Sequence, residues 1–134
     1  VGLPADFDRM GNSSSAKKTP QKLADRDSAK TMVDRFDNFL FDCDGVLWKG
    51  MSEIEGSSAC INALKASGKR CFFVTNNAQK SRKGYVEKLK SFNIDADESS
   101  IIGSAFAAAQ YLQSIEALSN QSKKVYMIGA AGMS

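Results

Sequence analysis

The sequence predicts an α/β fold built on a parallel sheet, because short apolar runs alternate along the chain with amphipathic segments of helical spacing. A second observation agrees with this class. Polar clusters follow directly after two of the apolar runs, as they do where ligands bind beyond the carboxyl ends of parallel strands. The strand connections are expected to be right-handed crossovers. The 134 residues, 43% apolar and 25% charged, suit one domain of ordinary size.

The first predicted elements are a helix, a strand and a turn. A short helix is predicted over 27–36, with Asp27 as its N-cap. An apolar run predicts the first strand over 38–42. Glycines bracket a compact turn over 45–50, and Trp48 inside it is expected to pack against the core.

The following elements are three helices and two strands. A helix is predicted over 57–67, and the continuous apolar run at 71–74 predicts a strand buried on both faces. The next helix has Ser81 as its N-cap and presents apolar residues at spacings of four and three. A further helix is predicted over 104–118 and a last strand over 124–128.

Composition excludes several classes of function. Cys43, Cys60 and Cys71 are odd in number and lack CxxC spacing, which predicts reduced core residues of a cytoplasmic protein instead of a disulfide framework. The chain contains no histidine, so imidazole base chemistry and histidine metal ligation are excluded within it. A net charge of +3 is too small to predict a nucleic-acid partner. No apolar run reaches the length that crosses a bilayer.

Two carboxylates, Asp42 and Asp44, stand at the end of the first predicted strand. Because side chains alternate along a strand, they point to the same side, and such a pair is costly unless a cation or a proton transfer requires it. Gly45 lets the backbone turn sharply away. A calcium loop is excluded, since its ligand positions would fall on Leu40 and Met51. An Asp-rich turn that closes the strand stays open as the alternative.

A second polar cluster, Thr75-Asn76-Asn77, follows the second predicted strand and should meet the carboxylates at one sheet edge. We expect Asp42 to attack a phosphate ester as a nucleophile and Asp44 to act as general acid and base. The three residues of the second cluster would bind the phosphoryl oxygens. A divalent cation such as Mg²⁺ would offset the repulsion between carboxylates and phosphate. A loop that caps the next helix is the alternative.

These motifs resemble those of the haloacid-dehalogenase-like phosphatases, and most of all the 4-nitrophenylphosphatase and phosphoglycolate phosphatase group. The resemblance rests on the segments 41–48, 73–77 and 80–82 and extends over about 22–132. It implies a Rossmann-like parallel sheet, truncated before a large α/β cap domain. It also implies Mg²⁺ ligation by the Asp42 carboxylate and the Asp44 backbone carbonyl.

The same resemblance implies domain limits and partners. Residues 21–128 would form the N-terminal half of the core, and 129–134 would begin the cap insertion. The later lysine and acidic pair of this family would lie after Ser134, so we expect the first portion of a longer enzyme, inactive by itself. The expected partners are a small phosphate ester, such as 2-phosphoglycolate or 4-nitrophenyl phosphate, and a second copy bound through the cap. A non-catalytic fragment that acts only by binding is the alternative.

The first twenty residues carry few apolar side chains and predict a disordered tail. Translation from Met10 would expose Gly11 in the pattern M-G-x-x-x-[ST], which is a candidate N-myristoylation site. One acyl chain followed by Lys17 and Lys18 predicts weak, reversible membrane association. A chance match in a Gly/Ser-rich linker is the alternative.

Overall fold

The computed structural model describes residues 25–115 and 124–130. Helices and strands alternate along this part of the chain, beginning with a helix. The helices are α1 (Arg26–Arg35), α2 (Ser57–Ala66), α3 (Arg82–Ser91) and α4 (Ser104–Ser114). The strands are β1 (Asn38–Asp42), β2 (Trp48–Lys49), β3 (Ser52–Glu53), β4 (Arg70–Thr75) and β5 (Ile101–Gly103), and a short 3₁₀ helix covers Glu98–Ser100. Within the described ranges, no helix has the length and apolar character to span a membrane.

Three parallel strands form the central sheet in the order β1-β4-β5. Helix α2 connects β1 to β4, and α3 connects β4 to β5, so the predicted α/β class is confirmed. The register places Phe41 beside Phe73 and Phe73 beside Ile101. The predicted turn after β1 is a small antiparallel hairpin of β2 and β3, in which Trp48 pairs with Glu53.

The core lies on one face of this sheet. Phe73 and Ile101 point from the strands into a cluster that also contains Ile61 of α2 and Leu89 of α3. Burying a side chain of this size stabilises the fold by about 1.5–3 kcal/mol. The prediction that β4 is buried on both faces is wrong, because its side chains alternate between buried and half-buried. The buried side chains of α2 and α3, the helices that connect the three strands, join the same cluster. The opposite face of the sheet is therefore less covered.

Two sequence-based assignments at α1 and α2 are corrected. The N-cap of α1 is Asp25 and not Asp27: the Ser28 N–H donates to Asp25 Oδ1 at 2.8 Å, and the Ser28 side chain completes a capping box. Cys60 is exposed, whereas Cys43 and Cys71 are buried, and all three thiols are free. Ile61, the next residue of α2, is buried. Consecutive residues of a helix are rotated by about 100°, so Cys60 points away from the buried side.

The strand predicted over 124–128 does not form in the described chain. Tyr126 and Ile128 are 90% and 81% exposed, and none of the described strands pairs with this segment. An apolar run becomes a strand only where a partner satisfies its backbone N–H and C=O groups. Conversely, β5 was not predicted, because three residues are too few to show an alternating pattern. The predicted tail, Gly11 and the end of the helix predicted over 104–118 lie outside the described residues.

Candidate active site

The carboxylate pair lies where β1 ends. Asp42 pairs with Val74 of β4, so Thr75 follows at the same edge of the sheet, as the sequence predicted. The Asp42 side chain is exposed, and its Oδ1 accepts the N–H of Cys43 at 2.9 Å. A carboxylate has about four lone-pair positions, so this hydrogen bond leaves acceptor capacity for a ligand.

The turn after β1 orients Asp44. The N–H of Gly45 donates to the Trp48 carbonyl oxygen at 2.8 Å, and the N–H of Leu47 donates to the Cys43 carbonyl oxygen at 2.9 Å. Gly45 has a φ of +89°, a left-handed conformation that glycine adopts without steric cost. This turn returns Trp48 to Asp44, and the Trp48 indole Nε1–H donates to Asp44 Oδ1 at 2.7 Å.

The second polar cluster is held by a closed ring of hydrogen bonds. Thr75 Oγ1 donates to the hydroxyl of Tyr85 at 3.2 Å, and that hydroxyl donates to the Asn77 carbonyl oxygen at 3.2 Å. The Asn77 N–H donates to Thr75 Oγ1 at 3.1 Å, which closes the ring. Thr75 is only 3% exposed, so its hydroxyl shapes the loop from inside, while Asn76 is exposed beside it.

The alternative interpretation of residues 75–77, a loop that caps the next helix, is correct in part. Asn77 Oδ1 accepts the N–H of Gln79 at 2.9 Å, so this side chain stabilises the loop before α3. The N-cap of α3 is nevertheless Ser81, as predicted, since its Oγ accepts the Gly84 N–H at 3.2 Å. Ser104 at the start of α4 donates to the Asn76 carbonyl oxygen at 3.0 Å, which joins a third element to the same loop.

Sequence reasoning missed Tyr85 and Lys88. Helical spacing marked Tyr85 as an apolar position of α3, and nothing in its spacing indicates what its hydroxyl contacts. Lys88 Nζ lies 4.2 Å from the centroid of the Trp48 ring and donates to the Gly50 carbonyl oxygen at 2.9 Å. Burial lowers the pKa of Lys88, and the nearby Asp44 carboxylate opposes that shift.

Cys43, between the two carboxylates, has no role as a nucleophile at neutral pH. Its side chain is fully buried. Burial raises the pKa of its thiol to about 12, and the charges of Asp44 and Asp42 act in the same direction. Since the thiolate is the reactive form, this thiol is not available as a nucleophile.

The donors at this edge fit a magnesium ion in type. Carboxylate and backbone carbonyl oxygens are the hard ligands that Mg²⁺ prefers, and the ion usually completes its six positions with water and substrate phosphate. Residues 25–115 and 124–130 hold no group of three histidine, cysteine or acidic side chains placed to bind a metal.

The fold is that of an α/β protein, and the candidate site lies at the carboxyl ends of adjacent parallel strands. Residues 39–134 match the haloacid dehalogenase-like hydrolase family, and the chain belongs to that family.

Two relatives share much of this sequence. The chain is 45% identical over 121 residues to phosphoglycolate phosphatase 1A, a chloroplastic protein of Arabidopsis thaliana, which covers 89% of this chain and 33% of the relative. It is 40% identical over 113 residues to 4-nitrophenylphosphatase of Schizosaccharomyces pombe, which covers 84% of this chain and 38% of the relative. The chain thus spans about a third of the length of these relatives.

Solved structures share the fold. A hypothetical protein from Pyrococcus horikoshii superposes with a TM-score of 0.65 at 34% identity, over 73% of this chain and 36% of that one. A glycerol phosphate phosphatase from Mycobacterium tuberculosis, solved in complex with magnesium, gives 0.62 at 24% identity, over 75% of this chain and 29% of that one. At that identity, the second likeness concerns the fold alone.

Proposed function

We propose that the whole protein hydrolyses small phosphate monoesters through an aspartyl-phosphate intermediate. The observation that carries this proposal is the pair Asp42 and Asp44 at the end of β1, beside the loop that follows β4. The names of the relatives support the substrate class, and they point to esters such as 2-phosphoglycolate and 4-nitrophenyl phosphate.

The reaction proceeds in two displacements. A carboxylate oxygen of Asp42 attacks phosphorus, the bond to the leaving oxygen breaks, and protonated Asp44 transfers its proton to that oxygen. Water then attacks the phosphorus of the aspartyl phosphate and gives a proton to Asp44. The Asp42 carboxylate is regenerated, and the products are an alcohol and inorganic phosphate.

The remaining assignments concern the groups that would bind the phosphoryl oxygens and the cation. We assign Thr75, Asn76 and Asn77 to the phosphoryl oxygens. The Thr75 hydroxyl would have to turn its hydrogen from Tyr85 to the phosphate, and its hydrogen bond from the Asn77 N–H keeps the loop in position. Mg²⁺ would be held by the Asp42 carboxylate and the Asp44 carbonyl oxygen, and when bound it offsets the repulsion between the carboxylates and the phosphate dianion.

Substitution of the nucleophile tests the proposal. In the whole protein, Asp42→Asn should abolish phosphate release, because an amide cannot form the aspartyl phosphate. The matched control is Asp37→Asn, the same chemical change just before β1, at a side chain that is 87% exposed and 3.6 Å from Lys69 Nζ. The control should retain activity within about twofold, since the Asp37 carboxylate lies mainly in solvent and at the opposite end of β1 from Asp42. Unchanged phosphate release by Asp42→Asn would refute the assignment.

A binding role without catalysis is the second candidate. The absence of a three-member metal-binding group within the described residues favours it for the 134-residue chain. Calorimetric titration of the 134-residue chain with inorganic phosphate tests this candidate. Phosphate binding without turnover of 4-nitrophenyl phosphate supports it, and turnover by the chain excludes it.

The remaining expectations stay predictions. We propose that the whole protein is cytoplasmic and forms a homodimer through the cap, and that myristoylation of Gly11 adds weak membrane association. Mass spectrometry of the N-terminal peptide from the native source decides the last of these. An unmodified Gly11 terminus or an intact segment 1–9 contradicts it.

A further inference from the structure

We propose that Trp48 is a positioning residue that holds the Asp44 carboxylate for proton transfer through its indole N–H. This inference rests on the proposed function. The donor is Trp48 Nε1, the acceptor is Asp44 Oδ1, and the two atoms are 2.7 Å apart. Whenever the Asp44 carboxylate is ionised, this is a charge-assisted hydrogen bond, of the strong and directional kind.

The Trp48 side chain is held rigidly. It is fully buried, and its ring stacks against Tyr85 at 6.2 Å and against Phe92 at 5.9 Å between centroids. The indole cannot rotate without opening the core around it, so the direction of its N–H is set by packing. Asp44 itself is exposed and directly precedes the turn, and its carboxylate would sample several rotamers without such a donor.

Lys88 reinforces this arrangement from α3. Its ammonium group lies 4.2 Å from the Trp48 ring centroid, and its hydrogen bond to the Gly50 carbonyl oxygen anchors it there. A cation over the ring face attracts the π electrons and so strengthens the indole N–H as a donor. The contact also joins α3 to the turn between β2 and β3.

The hydrogen bond distinguishes the two oxygens of Asp44. Because Oδ1 accepts the indole N–H, we assign the transferred proton to Oδ2. In the first displacement the Oδ2 proton passes to the leaving oxygen as its bond to phosphorus breaks. In the second, Oδ2 accepts a proton from the attacking water. The indole keeps its own proton throughout.

The test compares two leaving groups in the whole protein. Trp48→Phe keeps an aromatic ring and removes the N–H. We expect kcat/KM for 2-phosphoglycolate, whose alkoxide must be protonated as it leaves, to fall at least about tenfold. For 4-nitrophenyl phosphate, whose phenolate leaves with little help, we expect a loss below about threefold. The value of kcat/KM depends only on the steps up to departure of the alcohol. The later hydrolysis of the aspartyl phosphate therefore does not affect this comparison.

Two controls separate positioning from packing. Ile61→Val loosens the core on α2 and keeps both the indole N–H and its stacking partners, so it should change kcat/KM for both esters by the same factor. In an Asp44→Asn background, adding Trp48→Phe should cause no further loss, because Trp48 acts through Asp44. If Trp48→Phe fails to fold, Lys88→Met serves instead: the same ester-dependent pattern is expected, at smaller size, with recovery in Lys88→Arg.

Equal losses for the two esters, or a full additional loss in the Asp44→Asn background, would overturn the inference. These results differ from failure of the proposed function, in which the unsubstituted protein releases no phosphate or Asp42→Asn retains its activity.

Discussion

The hydroxyl group of Tyr85 connects the buried Thr75 to the loop that follows β4. It accepts from Thr75 and donates to the Asn77 carbonyl oxygen, so one side chain on α3 links the last residue of β4 to the loop that follows. Tyr85 itself is 3% exposed, and burial raises the pKa of its phenol. The protonated hydroxyl is therefore part of the folded structure, and its loss has consequences that depend on pH.

We expect Tyr85→Phe to lower the free energy of unfolding at pH 7 by about 1 kcal/mol through the lost hydrogen bonds. In the unsubstituted protein the folded state binds the phenolic proton more tightly than the unfolded state, so stability is complete below the ordinary tyrosine pKa and falls as pH rises above about 10. Phenylalanine does not ionise, so this alkaline decline should be shallower in the variant.

Urea unfolding of the whole protein between pH 7 and pH 11 measures both effects. Tyr111→Phe on α4 is the control, because that side chain is 65% exposed, and it should leave stability and its pH dependence unchanged. An identical alkaline decline in the Tyr85→Phe variant and the unsubstituted protein would contradict the expectation.

At the scale of elements, two glycines occupy positions with different backbone conformations. Gly45 lies in the turn between β1 and β2 with a φ of +89°, and a Cβ there would meet nothing within 4 Å. Glycine is therefore favoured here by the positive φ and not by a lack of space for a side chain. Gly84 lies in the first turn of α3 with ordinary helical geometry, and its added Cβ would make van der Waals contacts at 3.6 Å with Lys80 and Ser81.

The same substitution should have opposite signs at these two positions. Gly45→Ala forces a left-handed conformation on a residue with a Cβ and should destabilise the fold by about 1–2 kcal/mol. Gly84→Ala reduces the entropy of the unfolded chain and should stabilise it by about 0.5–1 kcal/mol. Thermal and urea unfolding of both variants measure the difference, and a loss of stability in Gly84→Ala would count against the described geometry of α3.

At the scale of the whole molecule, the sheet has one covered face and one open face. Leu40 is 64% exposed and Ile102 is 36% exposed, while Phe72 and Val74 between them are half-buried. These residues lie on neighbouring strands in register and form a contiguous apolar surface. β1 is also an edge strand of the described sheet. Such a face and edge favour association when nothing covers them.

We therefore expect the 134-residue chain by itself to be weakly stable and to have little or no phosphatase activity. It should bind a hydrophobic dye such as ANS and unfold over a broad temperature range. Leu40→Gln should reduce the dye fluorescence, because it removes an exposed apolar side chain without opening the core. A sharp cooperative transition together with magnesium-dependent hydrolysis by the chain alone would contradict this expectation.

The sequence by itself determined the α/β class, β1 to its exact bounds, Ser81 as the N-cap of α3 and the approach of Asp42 to the residues after β4. Each of these follows from local rules: strand alternation, helix capping and the place of polar residues after an apolar run.

Only the tertiary structure decided the contacts of Trp48, Tyr85 and Lys88, the open face of β4 and the absence of a strand at 124–128 within the described chain. Each depends on a partner distant in sequence or on the direction of a turn. A sequence pattern shows which residues are apolar or can donate a hydrogen bond. Packing decides which surface covers them and which acceptor they meet.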